Sequence, residues 1–419
     1  MIGEIRFNNY RFFSGENTFS FVADRRTKKL ISNSVLVDNR PILKSLALYG
    51  NNNSGKTNII NLFKYLKMLL IGKENFAFNS TRIFKDSDVV TISITFNNCN
   101  DMGWIKYEFD YNCEKREFVK EKISNIYYYD TGNPRINEIF EFDRNAKILK
   151  VYDVDQSKYL DMYVGNKPFV YSVRVEEGEF QPLKAYKNAF EELGKSLVII
   201  DLYNIPIEGT LQAFKTNNSK KINFITSFAK HADLTINNLS FASENEVSIT
   251  PNKVNEKALE NVIQVPDALR LMTTYKNVRV PSIFFDSSGT KKIEALAAYI
   301  YDSLFEGKTL IIDELDNGLH FMLTRAIVSL FNNIENTKGQ LFFTAHDLQL
   351  VDCASLLRKE QIYFVSRMKD FAGIKSLGDL TVADSGIREG SDLLKRYYKG
   401  DFGPVPSPSF IRDLLLIGK

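Results

Sequence analysis

One eight-residue segment, residues 50–57, constrains the fold of this chain more than any other feature of its sequence. Its letters, GNNNSGKT, satisfy the pattern G-x-x-x-x-G-K-[ST], in which glycines permit a tight loop whose backbone N–H groups cradle phosphate. The pattern has this meaning only between a strand and a helix. The apolar run at 45–49 predicts the strand, and apolar residues at helical spacing over 56–70 predict the helix, which should end at Gly72.

Two side chains of this loop have expected roles in phosphate chemistry. Lys56 would reach the β- and γ-phosphates of a nucleotide, and the hydroxyl of Thr57 would bind Mg²⁺. The helix N-terminus would add its partial positive charge. The alternative interpretation is a hairpin turn rich in Asn and Gly, and the helical pattern after Lys56 argues against it.

Composition and charge restrict the other functions open to the chain. Its 419 residues include 54 Lys+Arg against 51 Asp+Glu, a net charge of +3, whereas nucleic-acid and anionic-membrane binders usually carry a marked basic excess. No stretch approaches the ~18 apolar residues of a membrane span, and the N-terminus lacks the apolar region of a signal peptide. The 3 Cys and 3 His have no metal-binding spacing. We therefore expect a cytoplasmic protein that contacts no membrane and has no zinc site or disulfide.

The periodicity of apolar residues divides the chain into three parts. Residues 2–22 predict a hairpin, and short alternating segments between residues 89 and 150 predict an antiparallel meander. Residues 153–281 are mostly of helical period, for example over 183–200. After residue 282 strands alternate with helices, which is typical of a parallel sheet. The sequence thus predicts an α/β fold with an antiparallel lobe and a mainly helical middle region.

Two apolar strands in the last third end in residues that can do chemistry. The strand at 309–312 is followed by Asp313 and Glu314; an Asp at such a strand end holds Mg²⁺, commonly through water, and the next Glu can act as general base toward the attacking water. The strand at 341–345 is followed by His346, whose neutral imidazole could contact the γ-phosphate. Taken alone, the acidic pair is better explained as a strand end followed by a helix-capping acid, and the histidine as a structural residue. Beside a phosphate loop, the catalytic interpretation is favoured.

The DSSGTKK segment, residues 286–292, opens a predicted helix and offers hydroxyls, backbone N–H groups and a helix N-terminus to an anion. Its alternative role is a good N-cap and nothing more. Two pairs of adjacent lysines, Lys220 with Lys221 and Lys291 with Lys292, are interpreted as solvated helix faces rather than phosphate clamps.

Taken in order, these elements resemble the ABC-type ATPase heads of the RecF, SMC and overcoming-lysogenization-defect (OLD) branch. The resemblance covers roughly residues 1–110 and 283–419, and it is carried by segments 8–13 (NNYRFF), 48–58 (LYGNNNSGKTN) and 313–320 (DELDNGLH). The tail at 393–406 resembles the ending of stand-alone AAA-type members found in bacterial anti-phage systems such as PARIS and Septu.

The resemblance implies a fold and a domain division. The fold is an α/β P-loop ATPase head, a mixed sheet with helices plus an antiparallel β lobe. Residues 1–152 would form its N-terminal half and 283–419 its C-terminal half, with a mainly helical insertion at 153–282 between them. Tyr10, Phe12 and Phe13 are expected to be core aromatics rather than an adenine platform.

The resemblance also implies a nucleotide site shared by two heads. ATP and Mg²⁺ would lie between them, with Thr57 and Asp313 as metal ligands and Glu314, Lys56 and His346 as catalytic residues. Ser288 and Gly289 of the partner subunit would face the nucleotide from the other head. The residues expected to bind nucleotide within one head are Arg11, Gly50, Asn53, Ser54, Gly55, Lys56, Thr57 and Asn58.

The function implied is an ATPase that assembles on ATP into a homodimer or higher homo-oligomer. It would act as sensor or scaffold of an anti-phage defence system and control a separate effector, a nuclease or toxin. Hydrolysis is expected to be slow, because the signature segment of the family reads SGT at residues 288–290 rather than SGG, and no glutamine lies between the phosphate loop and residue 155.

The main alternative is DNA maintenance or repair of the RecF or SMC kind. Against it, no heptad pattern of a long coiled coil persists, and residues 112–285 hold 23 Lys+Arg and 23 Asp+Glu. DNA binding therefore stays possible but is not indicated by charge. A transporter's nucleotide-binding subunit is disfavoured by the antiparallel lobe, the large insertion and the SGT signature.

Overall fold

The computed structural model describes residues 1–51, 53–73, 88–98, 102–130, 132–175, 178–201, 205–232, 235–243, 267–352, 355–368, 371–379 and 399. The tail segment at 393–406 thus lies outside the described residues, apart from position 399. The strands are β1 (Ile2–Tyr10), β2 (Phe13–Ser20), β3 (Ser34–Val37), β4 (Arg40–Leu43), β5 (Ser45–Gly50), β6 (Val89–Asn97), β7 (Trp104–Asn112), β8 (Glu117–Tyr127), β9 (Arg135–Asp143), β10 (Ile148–Val151), β11 (Val154–Asp155), β12 (Leu197–Asp201), β13 (Asn238–Phe241), β14 (Leu271–Tyr275), β15 (Val278–Pro281), β16 (Thr309–Asp313), β17 (Gln340–Ala345), β18 (Ile362–Met368) and β19 (Phe371–Ser376).

A mixed sheet dominates the described part of the chain. Fourteen of these strands form it in the order β11-β10-β9-β8-β7-β6-β1-β2-β19-β18-β5-β17-β16-β12. At one end β18, β5, β17, β16 and β12 run parallel. At the other end β1, β2 and β6 to β11 pair antiparallel. The expected α/β class with a mixed sheet and an antiparallel lobe is therefore confirmed.

The α-helices are α1 (Lys56–Leu70), α2 (Phe169–Ser172), α3 (Lys184–Ser196), α4 (Glu208–Lys215), α5 (Ser219–Ala232), α6 (Asp267–Arg270), α7 (Ser282–Phe285), α8 (Ser288–Glu306), α9 (Phe321–Phe331) and α10 (Gln349–Asp352). No helix within the described ranges has both the length and the apolar character that crossing a membrane requires.

The parallel strands are buried on both faces, as strands covered by helices on each side must be. All six residues of β5 are buried, and alternate ones belong to different clusters. Leu46 and Leu48 pack in the same cluster as Ile59 and Leu62 of α1. Ala47 and Tyr49 lie in the cluster that includes residues of α8 and α9. Two layers of helices thus hold the strand that leads into the phosphate loop.

The expected helical character of the insertion is only partly right. The helix predicted over 183–200 ends at Ser196, and β12 continues the chain as a strand parallel to β16. The run Leu197–Ile200 is apolar enough to continue a helical pattern, but its β-branched residues fit a buried strand equally well. Strands β13, β14 and β15 form a further antiparallel sheet within the same insertion.

One lysine predicted to be solvated is buried. Lys221 on α5 is 9% exposed and forms an ion pair with Asp302 of α8. Lys308 contacts the other oxygen of Asp302 at 3.2 Å. Because a buried ammonium needs a compensating charge, the Asp302 carboxylate explains why Lys221 can turn inward while Lys220 stays exposed. Sequence alone does not reveal a partner 81 positions away.

Candidate functional site

The topology brings the three predicted motifs to one edge of the sheet. β17 lies between β5 and β16, and all three run parallel. The phosphate loop follows β5, Asp313 and Glu314 stand at the end of β16, and His346 follows β17. Ligands of open α/β sheets bind outside the carboxyl ends of the strands. The expected convergence of these motifs is thus present in the fold.

The phosphate loop needs glycine at both of its ends. A Cβ on Gly50 would lie 2.6 Å from Ser54 Oγ and 2.7 Å from the carbonyl oxygen of Val365, and Gly55 has φ +114°. Asn53 also adopts a left-handed conformation, at φ 61°, which Asn tolerates better than most residues. The loop closes on itself through the Ser54 N–H, which donates to the Asn51 carbonyl at 3.1 Å.

Lys56 points into this loop rather than into solvent. The residue is only 6% exposed, and its Nζ donates to the carbonyl oxygens of Gly50 at 2.5 Å and Asn51 at 3.2 Å. Burial lowers the pKa of the ammonium, and the charges of Glu314, Asp313 and Asp316 offset part of that decrease. A further negatively charged group beside this ammonium would raise its pKa again.

The loop also presents polar groups that suit phosphate and its metal. Ser54 Oγ is buried and has no hydrogen-bond partner among the described atoms, so a phosphate oxygen within reach would satisfy it. Thr57, in the first turn of α1, is exposed. Its hydroxyl is therefore accessible to an ion held with the phosphates. These observations fit a nucleotide with Mg²⁺.

A threonine that sequence analysis did not select organises the acidic end of β16. Thr344 Oγ1 on β17 donates to Asp313 Oδ1 at 2.7 Å and accepts from the Glu314 N–H at 2.7 Å. Burial raises the pKa of Asp313 and the charges of Glu314 and Asp201 add to the rise, while the Thr344 hydrogen bond and Lys56 oppose it. The only sequence signal for Thr344 was a hydroxyl two positions before the strand-end histidine.

Glu314 and His346 face each other. His346 Nε2 lies 3.3 Å from Glu314 Oε1, and Asn317 Nδ2 donates to Glu314 Oε2 at 3.2 Å. Both side chains keep partial exposure, 27% for Glu314 and 39% for His346. A carboxylate held at both oxygens yet open to solvent can accept a proton from water.

Asp316 holds the loop that carries the histidine. Its Oδ2 accepts from the backbone N–H groups of His346 at 2.7 Å and Asp347 at 2.5 Å. The position of the imidazole against Glu314 thus depends on a second carboxylate from the same DELD sequence. This role does not follow from the sequence, because both donors lie after β17, whereas Asp316 lies after β16.

Strand β12 adds a carboxylate that sequence analysis did not anticipate. Asp201 is the register partner of Asp313 in the parallel pair β12–β16. Its negative charge is one cause of the raised pKa of Asp313. The helix predicted over 183–200 is the reason this neighbour was not foreseen, because those last residues form β12, which ends at Asp201.

Arg11 lies beside the first turns of α1. Its guanidinium donates to Asn58 Oδ1 and, at 3.2 Å, to the Tyr65 hydroxyl. It also lies over the rings of Tyr10 and Tyr65, at 5.7 and 5.8 Å from their centroids. The structure thus brings together two predicted nucleotide residues, Arg11 and Asn58. Tyr10 and Phe13 are 1% exposed, which places them in the core as predicted.

Ser288 and Gly289 begin α8, and Ser287 caps it by accepting from the Thr290 N–H at 3.1 Å. Gly289 lies against the loop after Glu314, because a Cβ there would be 3.6 Å from the carbonyl oxygen of Gly318. Lys292 Nζ donates to the Asn317 carbonyl at 3.1 Å. Within one chain Gly289 and Lys292 therefore lie against the loop that follows β16, whereas Ser288 is exposed.

Comparisons with known proteins agree with a nucleotide-binding domain. Residues 210–352 match the family model "AAA domain, putative AbiEii toxin, Type IV TA system". The matched segment contains Ser288, Asp313, Glu314 and His346. A stretch of 98 residues is 29% identical to "ATP/GTP phosphatase" of Helicobacter pylori (strain ATCC 700392 / 26695) and covers 22% of this chain and 24% of that protein. The chain thus spans about a quarter of the length of the curated relative it matches.

Similar solved structures include heads of SMC proteins. An SMC head bound to the C-terminal winged-helix domain of ScpA has a TM-score of 0.45 and 14% identity, covering 90% of this chain and 97% of that one. The SMC head domain of Thermotoga maritima has a TM-score of 0.42 and 11% identity, covering 90% and 98%.

Replacing Thr344 with valine tests how the acidic pair is held. The substitution keeps the shape but removes the donor to Asp313 and the acceptor for the Glu314 N–H. Since a hydrogen bond to a charged group contributes about 1.5–3 kcal/mol, we expect the rate of the ATP hydrolysis predicted from the sequence to fall about tenfold or more. Steady-state phosphate release measures it.

The matched control is Thr324→Val. Thr324 is fully buried on α9, and its hydroxyl has no partner in the described structure. This control should hydrolyse ATP at the wild-type rate. Equal rates for the two valine variants would show that Thr344 does not organise the site.

Proposed function

We propose that this chain is an ABC-type ATPase that binds ATP with Mg²⁺, hydrolyses it slowly and assembles on it. The observation that carries the proposal is the convergence of Lys56, Asp313, Glu314 and His346 at the carboxyl edge of adjacent parallel strands. The match of residues 210–352 to an AAA model supports it.

The residues would divide the chemistry as follows. Lys56 and the N-terminal amides of α1 hold the phosphate chain and balance its charge. Glu314, held by His346 and Asn317, accepts a proton from the attacking water. His346, whose imidazole contacts Glu314, would orient that water or the terminal phosphate. Thr57 and Asp313 would hold Mg²⁺, which when bound supplies positive charge to the β- and γ-phosphates.

We infer that a second copy of the chain completes the nucleotide site. Ser288 and Gly289 lie at the start of a 19-residue helix, where backbone N–H groups and the helix dipole favour an anion. On its own chain Gly289 lies against the loop at Gly318, where a Cβ on it would be 3.6 Å from the Gly318 carbonyl oxygen. We infer that they meet nucleotide held by another subunit, so that ATP joins two heads into a homodimer or larger homo-oligomer.

We further propose a biological role in the cytoplasm. The chain would be the sensor or scaffold of an anti-phage defence system, with a nuclease or toxin as a separate effector. Support comes from the matched family model, whose description names a putative toxin of a Type IV toxin–antitoxin system. The balanced charge of the insertion favours a protein partner over DNA.

One experiment separates this role from DNA maintenance. The purified chain is mixed with ATP and Mg²⁺, its mass is followed by light scattering, and binding to a labelled DNA duplex is measured over a range of salt concentrations. We expect ATP-dependent assembly and only weak DNA binding. Tight DNA binding with a steep salt dependence would contradict the partner-scaffold role. Absence of both ATP binding and assembly would contradict the ATPase itself.

A further inference from the structure

Two buried carboxyl groups lie at the ends of the DSSGTKK segment, one on its first residue and one just beyond its last. Asp286, its first residue, is 5% exposed, and Glu294, two residues beyond its end, is fully buried. Neither belongs to the site at the strand ends. Both reach the same threonine of the insertion, Thr273 on β14, whose Oγ1 lies 2.5 Å from Asp286 Oδ2 and 3.1 Å from Glu294 Oε1.

Two more hydroxyls complete this cluster. Tyr275 on β14 donates to Asp286 Oδ1 at 2.7 Å, and Ser282 on α7 donates to Glu294 Oε2. The three hydroxyls carry one hydrogen each, but they make four contacts with the carboxyl groups. A fourth hydrogen is therefore needed, and a protonated carboxyl supplies it.

Glu294 is the better site for this proton. Burial raises its pKa to about 8, and the neighbouring Asp286 carboxylate adds to the rise, while the hydroxyls of Ser282 and Thr273 oppose it. A further hydroxyl, Thr210 on α4, donates to the backbone carbonyl of Glu294 at 2.8 Å.

We propose that Asp286, Glu294 and Thr273 are positioning residues for the DSSGTKK segment and tie its two ends to strand β14 of the insertion. This inference rests on the proposed function, in which Ser288 and Gly289 contact nucleotide on a second copy. The cluster touches no nucleotide. It fixes the backbone before the helix cap and the second turn of α8, and so the direction in which Ser288 and Gly289 face.

The arrangement predicts that assembly depends on pH. A glutamate with a raised pKa in the folded protein contributes stability that is complete below its ordinary pKa of 4.5 and is lost as the pH rises through about 8. Above that pH two adjacent carboxylates repel, and Thr273 can satisfy only one. ATP-driven assembly should therefore weaken severalfold between about pH 7 and 9.

The test uses Glu314→Gln as the background in all proteins, so that assembly is measured without turnover. Thr273→Val and Glu294→Gln are each added to it and compared with the background alone, which is called wild type below. Binding of a fluorescent ATP analogue to the monomer and the midpoint of ATP-driven assembly are recorded from pH 6.5 to about 9. Thr273→Val should bind the analogue as wild type does but require about tenfold more protein to assemble. Glu294→Gln, whose amide replaces the protonated carboxyl as donor, should assemble well with a flat pH profile.

Glu121→Gln is the matched control. Glu121 is another buried carboxyl, in the antiparallel lobe, and burial raises its pKa to about 7. Its replacement should leave the pH profile of assembly unchanged. Circular dichroism confirms that each variant is folded.

Assembly of Thr273→Val at the wild-type midpoint, or a wild-type pH profile in Glu294→Gln, would overturn the inference. If the Glu314→Gln protein binds the analogue but never assembles, the proposed function fails first, and this inference fails with it. The two failures are therefore distinguishable.

Discussion

Replacing Glu314 with glutamine should lower the ATP hydrolysis rate by about 100- to 10,000-fold, the range that a general base contributes. The amide keeps the size of the side chain and can still contact His346 and Asn317, but it cannot accept the proton of the attacking water. ATP binding should persist because Lys56 and the phosphate loop are untouched. Phosphate release and retention of labelled ATP measure the two effects separately.

The same variant should also collect in the assembled state. If ATP joins two heads and hydrolysis releases them, a subunit that binds but does not hydrolyse ATP stays joined. Light scattering with ATP should show a larger mass for Glu314→Gln than for wild type. Glu335→Gln, an exposed glutamate after α9, is the control and should behave as wild type. A Glu314→Gln protein that hydrolyses ATP normally would exclude Glu314 as the base.

Replacing Lys56 with alanine should abolish measurable ATP binding and turnover. The ammonium is buried inside the loop and is the cation nearest the expected phosphate position, so its loss removes both charge and hydrogen bonds. Loss of one such stabilising donor costs about 100- to 1000-fold in rate. Lys64→Ala, an exposed lysine on the same helix, is the control and should retain activity.

Local sequence patterns predicted the elements that depend on local residues. The strand at 45–49, helix α1 and its end before Gly72 follow from apolar periodicity and glycine placement, and all three are present. The positions of Asp313 and His346 at neighbouring strand ends also follow, because parallel strands present their carboxyl ends on one edge.

Features that depend on tertiary partners escaped prediction. Thr344 reads as one more residue of an apolar strand until β16 is placed beside β17. Residues 197–200 fit the end of a helix until β16 is placed beside them as a parallel partner. Lys221 reads as a surface lysine until Asp302 is brought to it by α8. In each case the decisive partner lies 30 or more positions away along the chain.

The most direct test of the account uses two inactive subunits, Lys56→Ala and Ser288→Arg. Each alone should release almost no phosphate. The first lacks the lysine of the phosphate loop, and in the second the arginine blocks the face of α8 that meets the other subunit's nucleotide. Mixed in equal amounts, they form heterodimers with one intact composite site, so about a quarter of the wild-type rate should return. Phosphate release that stays at the level of the separate variants would contradict an ATPase whose site is shared by two copies of the chain.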